Sequence, residues 1–288
     1  MTDSLLQVQN LNIVFKGAHE DHHAVRDVSF SVGREKVAIV GESGSGKSQT
    51  CRALLKLTPN IARISADLMQ FCDVDLLNAS EKKMRTIRGN RISMILQDPR
   101  FSLNPLMRIG DQITEAYRLH SQASKRVARE RTLAMLESVH IRDAEKVCRL
   151  YPHEISGGMG QRVMIAMMLI PEPDLIIADE PTSALDVTVR QQVLAILDEQ
   201  LARRNTGLLF ITHDLNLVSR FCDRVLVMYA GRIVEEIAAN QLHLAQHPYT
   251  QALLASQPRL HHPVDTLSVP ARDPAWLHGP AWRNGVAL

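Results

Sequence analysis

Long apolar runs are missing from this sequence: nowhere in its 288 residues do about 18 uninterrupted apolar residues occur, the length a helix needs to cross a bilayer. The first twelve residues also lack the basic flank and apolar core of a secretory leader. The expectation is a protein that neither spans the membrane nor leaves the cell. Cysteine is scarce, with Cys51, Cys72, Cys148 and Cys222 scattered along the chain, which argues against a disulfide framework or a closely spaced zinc site and suits a reducing cytoplasm. An excess of either charge is missing too: 33 basic against 31 acidic residues give a formal charge of +2, so no broad field draws the chain to nucleic acid or to an anionic membrane. Aromatic residues make up only 4%, leaving few candidates for any stacking role. No internal repeat occurs.

What is present suits a sizeable core, with 45% hydrophobic and 22% charged residues. Residues 5–15, 28–32 and 36–40 read as short strands separated by turns. From residue 97 to 151 the apolar spacing becomes helical, with Ile109, Ile113, Ala116 and Tyr117 on one face and Ala128, Leu133, Leu136 and Val139 farther on. Beyond residue 175, strand-like runs at 175–178, 208–212 and 225–228 alternate with helical stretches at 187–201 and 215–221, the pattern of a largely parallel sheet covered by helices. The pattern weakens after Ala239. Pro258, Pro263, Pro270, Pro274 and Pro280 then make the last thirty residues a poor packed domain.

The strongest chemical signal is Gly41-Glu42-Ser43-Gly44-Ser45-Gly46-Lys47-Ser48, which fits the phosphate-loop pattern at every fixed position and follows an expected strand. Its glycines let backbone N–H groups and a helix N-terminus face phosphate oxygens, Lys47 adds positive charge near the β and γ groups, and Ser48 offers a hydroxyl to magnesium. Farther on, the apolar run 175–178 ends in Asp179-Glu180. Two carboxylates at a buried strand end need compensation. Magnesium supplies it for Asp179, and an attacking water in line with the γ-phosphate makes Glu180 a general base. Between these lies Ser156-Gly157-Gly158, a turn opening onto a helical stretch from residue 163 to 169; on its own it reads as an ordinary helix cap.

The order of phosphate loop, Gln97, Ser156-Gly157-Gly158, Asp179-Glu180, Ser183-Ala184-Leu185-Asp186 and His213 resembles that of ABC transporter nucleotide-binding subunits, over residues 5–234. The resemblance implies an α/β fold: a P-loop NTPase core with a mainly parallel sheet, an N-terminal antiparallel β portion and an inserted α-helical subdomain. The nucleotide-binding domain would cover residues 1–240, the insert lying at about 97–170, and residues 241–288 would form a partly irregular C-terminal extension. It also implies a head-to-tail dimer in which each ATP lies between one subunit's phosphate loop and the partner's Ser156, Gly157 and Gly158. Gln97 would then contact magnesium or the attacking water, His213 the γ-phosphate, and Asp186 the other subunit. An aromatic residue upstream of the phosphate loop would stack on adenine; Phe15 is the candidate and Phe30 its competitor.

Gln97-Asp98-Pro99, Ser102-Leu103-Asn104-Pro105, Met159 and His247-Pro248-Tyr249-Thr250 resemble the importers of peptides, nickel and related small cargo. That branch implies a peripheral subunit at the cytoplasmic face of the membrane, working with two transmembrane permease subunits, an extracytoplasmic solute-binding protein and a paralogous ATPase, with a homodimer as the alternative. Phe101, Leu103 and Leu106 would line the groove for a permease helix, or else pack inside the insert. Two departures stand out. Gly160 takes the place of a basic residue common in relatives, at a cost of about 1 kcal/mol relative to alanine inside a helix. No cysteine follows Cys222, so the iron–sulfur cluster carried by some relatives is not expected here. Export rather than import, and a soluble mechanochemical ATPase, are the competing functions.

Overall fold

Along the first strand, β1 (Leu6–Phe15), Leu6, Val8, Leu11 and Ile13 are buried while Gln7, Gln9 and Asn10 face solvent. This is the period of two expected of a half-buried strand. It slips between Val8 and Leu11, where Asn10 adopts a left-handed φ of 51° and the register with the next strand shifts, as at a β-bulge. The computed structural model describes residues 4–17, 19–183, 185–257, 273–277 and 279–287, with the backbone alone at residues 100, 101, 274 and 277. The chain divides into two compact units, Met1–Ala79 with Leu209–Leu288, and Ser80–Leu208.

In the first unit β1 pairs antiparallel with β2 (His22–Val32). That strand begins six residues before the apolar alternation does, because exposed His22 and His23 conceal its first half. After β3 (Lys36–Val40) and α1 (Lys47–Leu54) come β4 (Ala62–Ser65), β5 (Leu68–Phe71) and β6 (Val74–Asp75). They complete an antiparallel sheet of order β2-β1-β5-β6, with β4 also on β1.

The second unit opens with α2 (Glu81–Ile87) and β7 (Ile92–Ile95) and continues through α3 (Pro99–Ser102), α4 (Ile109–Arg118), α5 (Lys125–Ser138), α6 (Ala144–Arg149) and α7 (Gly157–Leu169). Ile109 and Ile113 of α4, and Ala128 and Leu136 of α5, are buried as their spacing predicts. α4 packs against α5, α6 and α7. Then come β8 (Leu175–Asp179) and α8 (Val187–Arg204), which ends at Asn205 in a left-handed turn (φ 52°). β7 and β8 run parallel, Ile95 opposite Ala178, and both are buried along their whole length.

The chain returns to the first unit within β9 (Gly207–Thr212), followed by α9 (Leu215–Phe221), β10 (Arg224–Tyr229) and β11 (Arg232–Ala238). β10 runs parallel to β3, both strands almost wholly apolar, and antiparallel to β11. Of the C-terminal extension, Pro258, Pro263 and Pro270 lie outside the described residues, whereas the described parts include a helix and a hairpin. α10 (Pro248–Ala255) starts at a proline suited to the first helical turn, and a hairpin of β12 (Trp282–Arg283) and β13 (Val286–Ala287) adds to β11. Strands two residues long carry no readable period, so the sequence pattern misses them. The second sheet of this unit thus runs β13-β12-β11-β10-β3-β9. Among the described residues no helix is long and apolar enough to cross a membrane, and all four cysteines are free thiols.

Candidate functional site

In the first unit the glycine-rich loop leaves the carboxyl end of β3 and closes at the start of α1, where ligands gather in open α/β sheets. Gly46 has φ 103°, and a Cβ there would lie 2.5 Å from the Ala24 carbonyl oxygen. Gly41 is equally constrained, since a Cβ would meet the Met228 carbonyl oxygen at 2.1 Å. Only glycine fits either place without moving backbone. Ser43 and Gly44 form the exposed crest, Glu42 and Ser48 are half-buried, and Ser45 and Lys47 are buried.

Lys47 curls its ammonium back inside the loop, donating to the carbonyl oxygens of Gly41 (2.8 Å) and Glu42 (2.7 Å), with Ser45 Oγ at 3.4 Å. These acceptors offset the cost of burying the charge. No acidic residue occupies the first turn of α1, so its positive end is left for an anion. His213 is exposed and follows the carboxyl end of β9, a neighbour of β3 in the sheet. Phe15 is half-buried at the end of β1, opposite His22 and Ala62, whereas Phe30 is core at 5% exposure. His19, His22 and His23 are exposed, and no metal-holding group of His, Cys, Asp and Glu occurs among the described residues.

In the second unit the parallel register brings Gln97 and the Asp179-Glu180 pair to the carboxyl ends of adjacent strands, just beyond Ile95 and Ala178. Asp179 is 8% exposed and Gln97 is exposed. Glu180 holds a left-handed φ of 47°, while its carbonyl accepts the Ser183 N–H (3.2 Å) and hydroxyl (3.1 Å). A non-glycine residue there costs about 1–3 kcal/mol, strain that concentrates at working sites. Ser156 and Gly157 are exposed at the start of α7. Ser156 Oγ accepts the Met159 N–H at 3.4 Å, so the capping role is present. Asp186 caps α8 in the same manner through the Val189 N–H (2.9 Å).

Two contacts escape sequence reasoning. Gln161, buried in α7, donates its side-chain amide to the Pro181 carbonyl, tying the Ser156 helix to the loop after Glu180. In the first unit the hydroxyl of Tyr249 accepts the Glu42 N–H at 3.0 Å. A lone glutamine in a helix and a tyrosine 207 positions from its partner carry no local signal. Of the expected groove residues, Leu103 is buried within its unit and Leu106 is 86% exposed; the Phe101 side chain lies outside the described residues. Gly160 is buried in α7, with Pro99 and Ile155 at ordinary contact distance from where a Cβ would stand.

Comparison with known proteins agrees with this layout. Residues 25–183 match the family described as ABC transporter. The oligopeptide transport ATP-binding protein OppD of Salmonella typhimurium is 46% identical over 279 residues, 96% of this chain and 83% of that protein. The dipeptide transport ATP-binding protein DppD of Bacillus subtilis is 46% identical over 261 residues, 90% of this chain and 78% of its own length. Among solved structures, the dimeric bacterial ABC transporter cassette MJ0796 superposes with a TM-score of 0.70 at 25% identity, over 81% of this chain and 98% of that one.

Proposed function

The chain belongs to the ABC transporter family, and we propose that, as one of its ATP-hydrolysing subunits, it powers the import of short peptides across a membrane. The observation that carries this reading is the phosphate loop itself: a buried lysine at the mouth of a helix with no acidic first turn. Lys47 exchanges its carbonyl partners for phosphate oxygens when MgATP enters, and the backbone amides from Gly44 to Ser48 add further donors. Phe15 stacks on adenine. Ser48, Asp179 and Gln97 offer only oxygen donors, the set a hard cation such as magnesium accepts. When bound, magnesium neutralises charge gathering on the phosphate oxygens.

Glu180 takes the proton of the attacking water and His213 steadies the γ-phosphate. The amides of Gly157 and Gly158 and the Ser156 hydroxyl complete the site from a second subunit, so hydrolysis and dimer opening are coupled. That second subunit is a paralogous ATPase. Above the pair stand two permease subunits, fed by an extracytoplasmic binding protein, with this chain peripheral at the cytoplasmic face. The names of the relatives support peptide over nickel as the cargo.

Affinity purification from membranes, followed by uptake of labelled di- and oligopeptides, tests the assignment. Copurifying permease subunits and peptide uptake lost in Lys47→Ala are the expected results. Recovery of ribosomes or DNA in place of permeases refutes the transporter reading, and nickel uptake without peptide uptake refutes the cargo.

A further inference from the structure

The C-terminal helix reaches the phosphate loop through the side chain of Tyr249. Tyr249, in the first turn of α10, is fully buried, and its hydroxyl oxygen accepts the N–H of Glu42, the second residue of the loop, at 3.0 Å. Three separate restraints hold that hydroxyl in place. The Tyr249 ring lies against Tyr229 of β10 (centroids 4.5 Å apart) and Trp276 (5.7 Å), and Trp276 also meets Tyr229 edge-on at 5.6 Å. The helix start is capped by His247, whose Nδ1 accepts the Tyr249 N–H at 3.1 Å. Buried Glu235 of β11 then accepts the N–H groups of Gln246 (2.7 Å) and His247 (3.4 Å), pinning the turn before α10 to the sheet. Buried and restrained in this way, Tyr249 loses little further side-chain entropy in making the bond.

The rest of the loop leans on the same strands. Gly41 packs against the Met228 carbonyl of β10 and the Ser45 carbonyl accepts the Gly231 N–H at 3.0 Å, so β10 and the turn after it each support the loop and Tyr249 supports it at a third point. Glu42 lies between those two points: its carbonyl accepts from the Lys47 ammonium (2.7 Å) and the Ser45 N–H (3.2 Å), and its own N–H is held by Tyr249. Phosphate binding needs several amides aimed at one place at once, and each degree of freedom removed beforehand is not lost on binding.

We propose that Tyr249 is a positioning residue for the phosphate loop, making the affinity for MgATP depend on the docked C-terminal helix. This rests on the loop being the ATP site. Tyr249→Phe keeps the ring and its aromatic contacts and removes the hydroxyl, and with it the acceptor for the Glu42 N–H. A single hydrogen bond of ordinary net worth corresponds to about a three- to tenfold change in an equilibrium constant.

Isothermal titration of the full-length chain with MgATP, at a temperature where circular dichroism shows every variant folded, gives the dissociation constants. Thermal unfolding without nucleotide gives the stabilities. Tyr249→Phe should raise Kd about three- to tenfold. Trp276→Phe, which disturbs the same aromatic cluster but leaves the hydroxyl, measures how much of any loss comes from stability alone. A wild-type Kd in Tyr249→Phe, or a rise no larger than that of Trp276→Phe, overturns the proposal. Lys47→Ala distinguishes the two layers: if it binds MgATP as wild type does, the ATP-site reading itself fails, whereas lost binding in Lys47→Ala beside an unaffected Tyr249→Phe removes the positioning role alone.

Discussion

Gly158 and Gly160 lie two residues apart on α7, and alanine should act in opposite directions at the two. At Gly160 the backbone is helical, its N–H donates to the Ser156 carbonyl at 2.8 Å, and a Cβ would have its nearest neighbour, Pro99 Cγ, at 3.5 Å. Nothing need move. Alanine is preferred over glycine inside a helix by about 1 kcal/mol, part of it through the unfolded chain. The added buried methyl contributes up to about 0.8 kcal/mol more. Gly160→Ala should therefore stabilise by about 1–1.8 kcal/mol. At Gly158 the same Cβ would lie 2.6 Å from Val189 Cγ1 on α8. Valine is stiff about its first side-chain bond, so relief requires a shift of α7 against α8, and overpacking of this kind costs about 1–3 kcal/mol. The propensity gain is cancelled or outweighed, leaving a change of about 0 to 2 kcal/mol in the unfavourable direction. Urea unfolding of the full-length variants, followed by far-ultraviolet circular dichroism, measures the difference. Equal shifts for the two, or destabilisation by Gly160→Ala, would refute the packing argument and mean that the departure at Gly160 is required by the fold.

Glu180→Gln should bind MgATP yet turn it over about 10²- to 10⁴-fold more slowly, and a nucleotide-dependent dimer should accumulate on size exclusion; wild-type turnover removes the base role, and slow turnover without dimerisation challenges the two-subunit site. Leu106 is 86% exposed, so Leu106→Asp should leave stability within about 0.5 kcal/mol while uncoupling uptake from ATP hydrolysis; normal uptake would take Leu106 out of the permease groove. Burial holds His247 below its ordinary pKa of 6.5, opposed by the carboxylate of Glu235. The folded chain then binds fewer protons than the unfolded one, so this contribution to stability is complete above pH 6.5 and lost as pH falls through the folded value. His247→Asn, which keeps a capping acceptor, should flatten the acid side of a stability profile measured by urea unfolding; an unchanged slope would assign that loss to other groups.

Local order was legible wherever one short stretch of chain carries its own physical reason. The phosphate loop needs glycine at Gly41 and Gly46 because backbone crowds both, and a lysine and a serine must follow; eight consecutive residues state all of this. The runs at 36–40, 175–178 and 208–212 are apolar enough to be read directly as strands, and Ser156 marks its helix start because capping is a contact within three residues. Relations across long separations were not legible. The pairing of Ile95 with Ala178, which brings Gln97 beside Asp179 and Glu180, depends on strand order, and no residue announces it. The two-residue hairpin on β11, the tie from Gln161 to Pro181 and the reach of Tyr249 to Glu42 likewise join parts of the chain that share no period. Sequence determined the chemistry of each short segment, because turn geometry, capping and alternation are decided among near neighbours. Tertiary structure alone decided which segments meet, because a hydrogen bond between residues 42 and 249 exists only after the sheet and the packing around it have closed the distance between them.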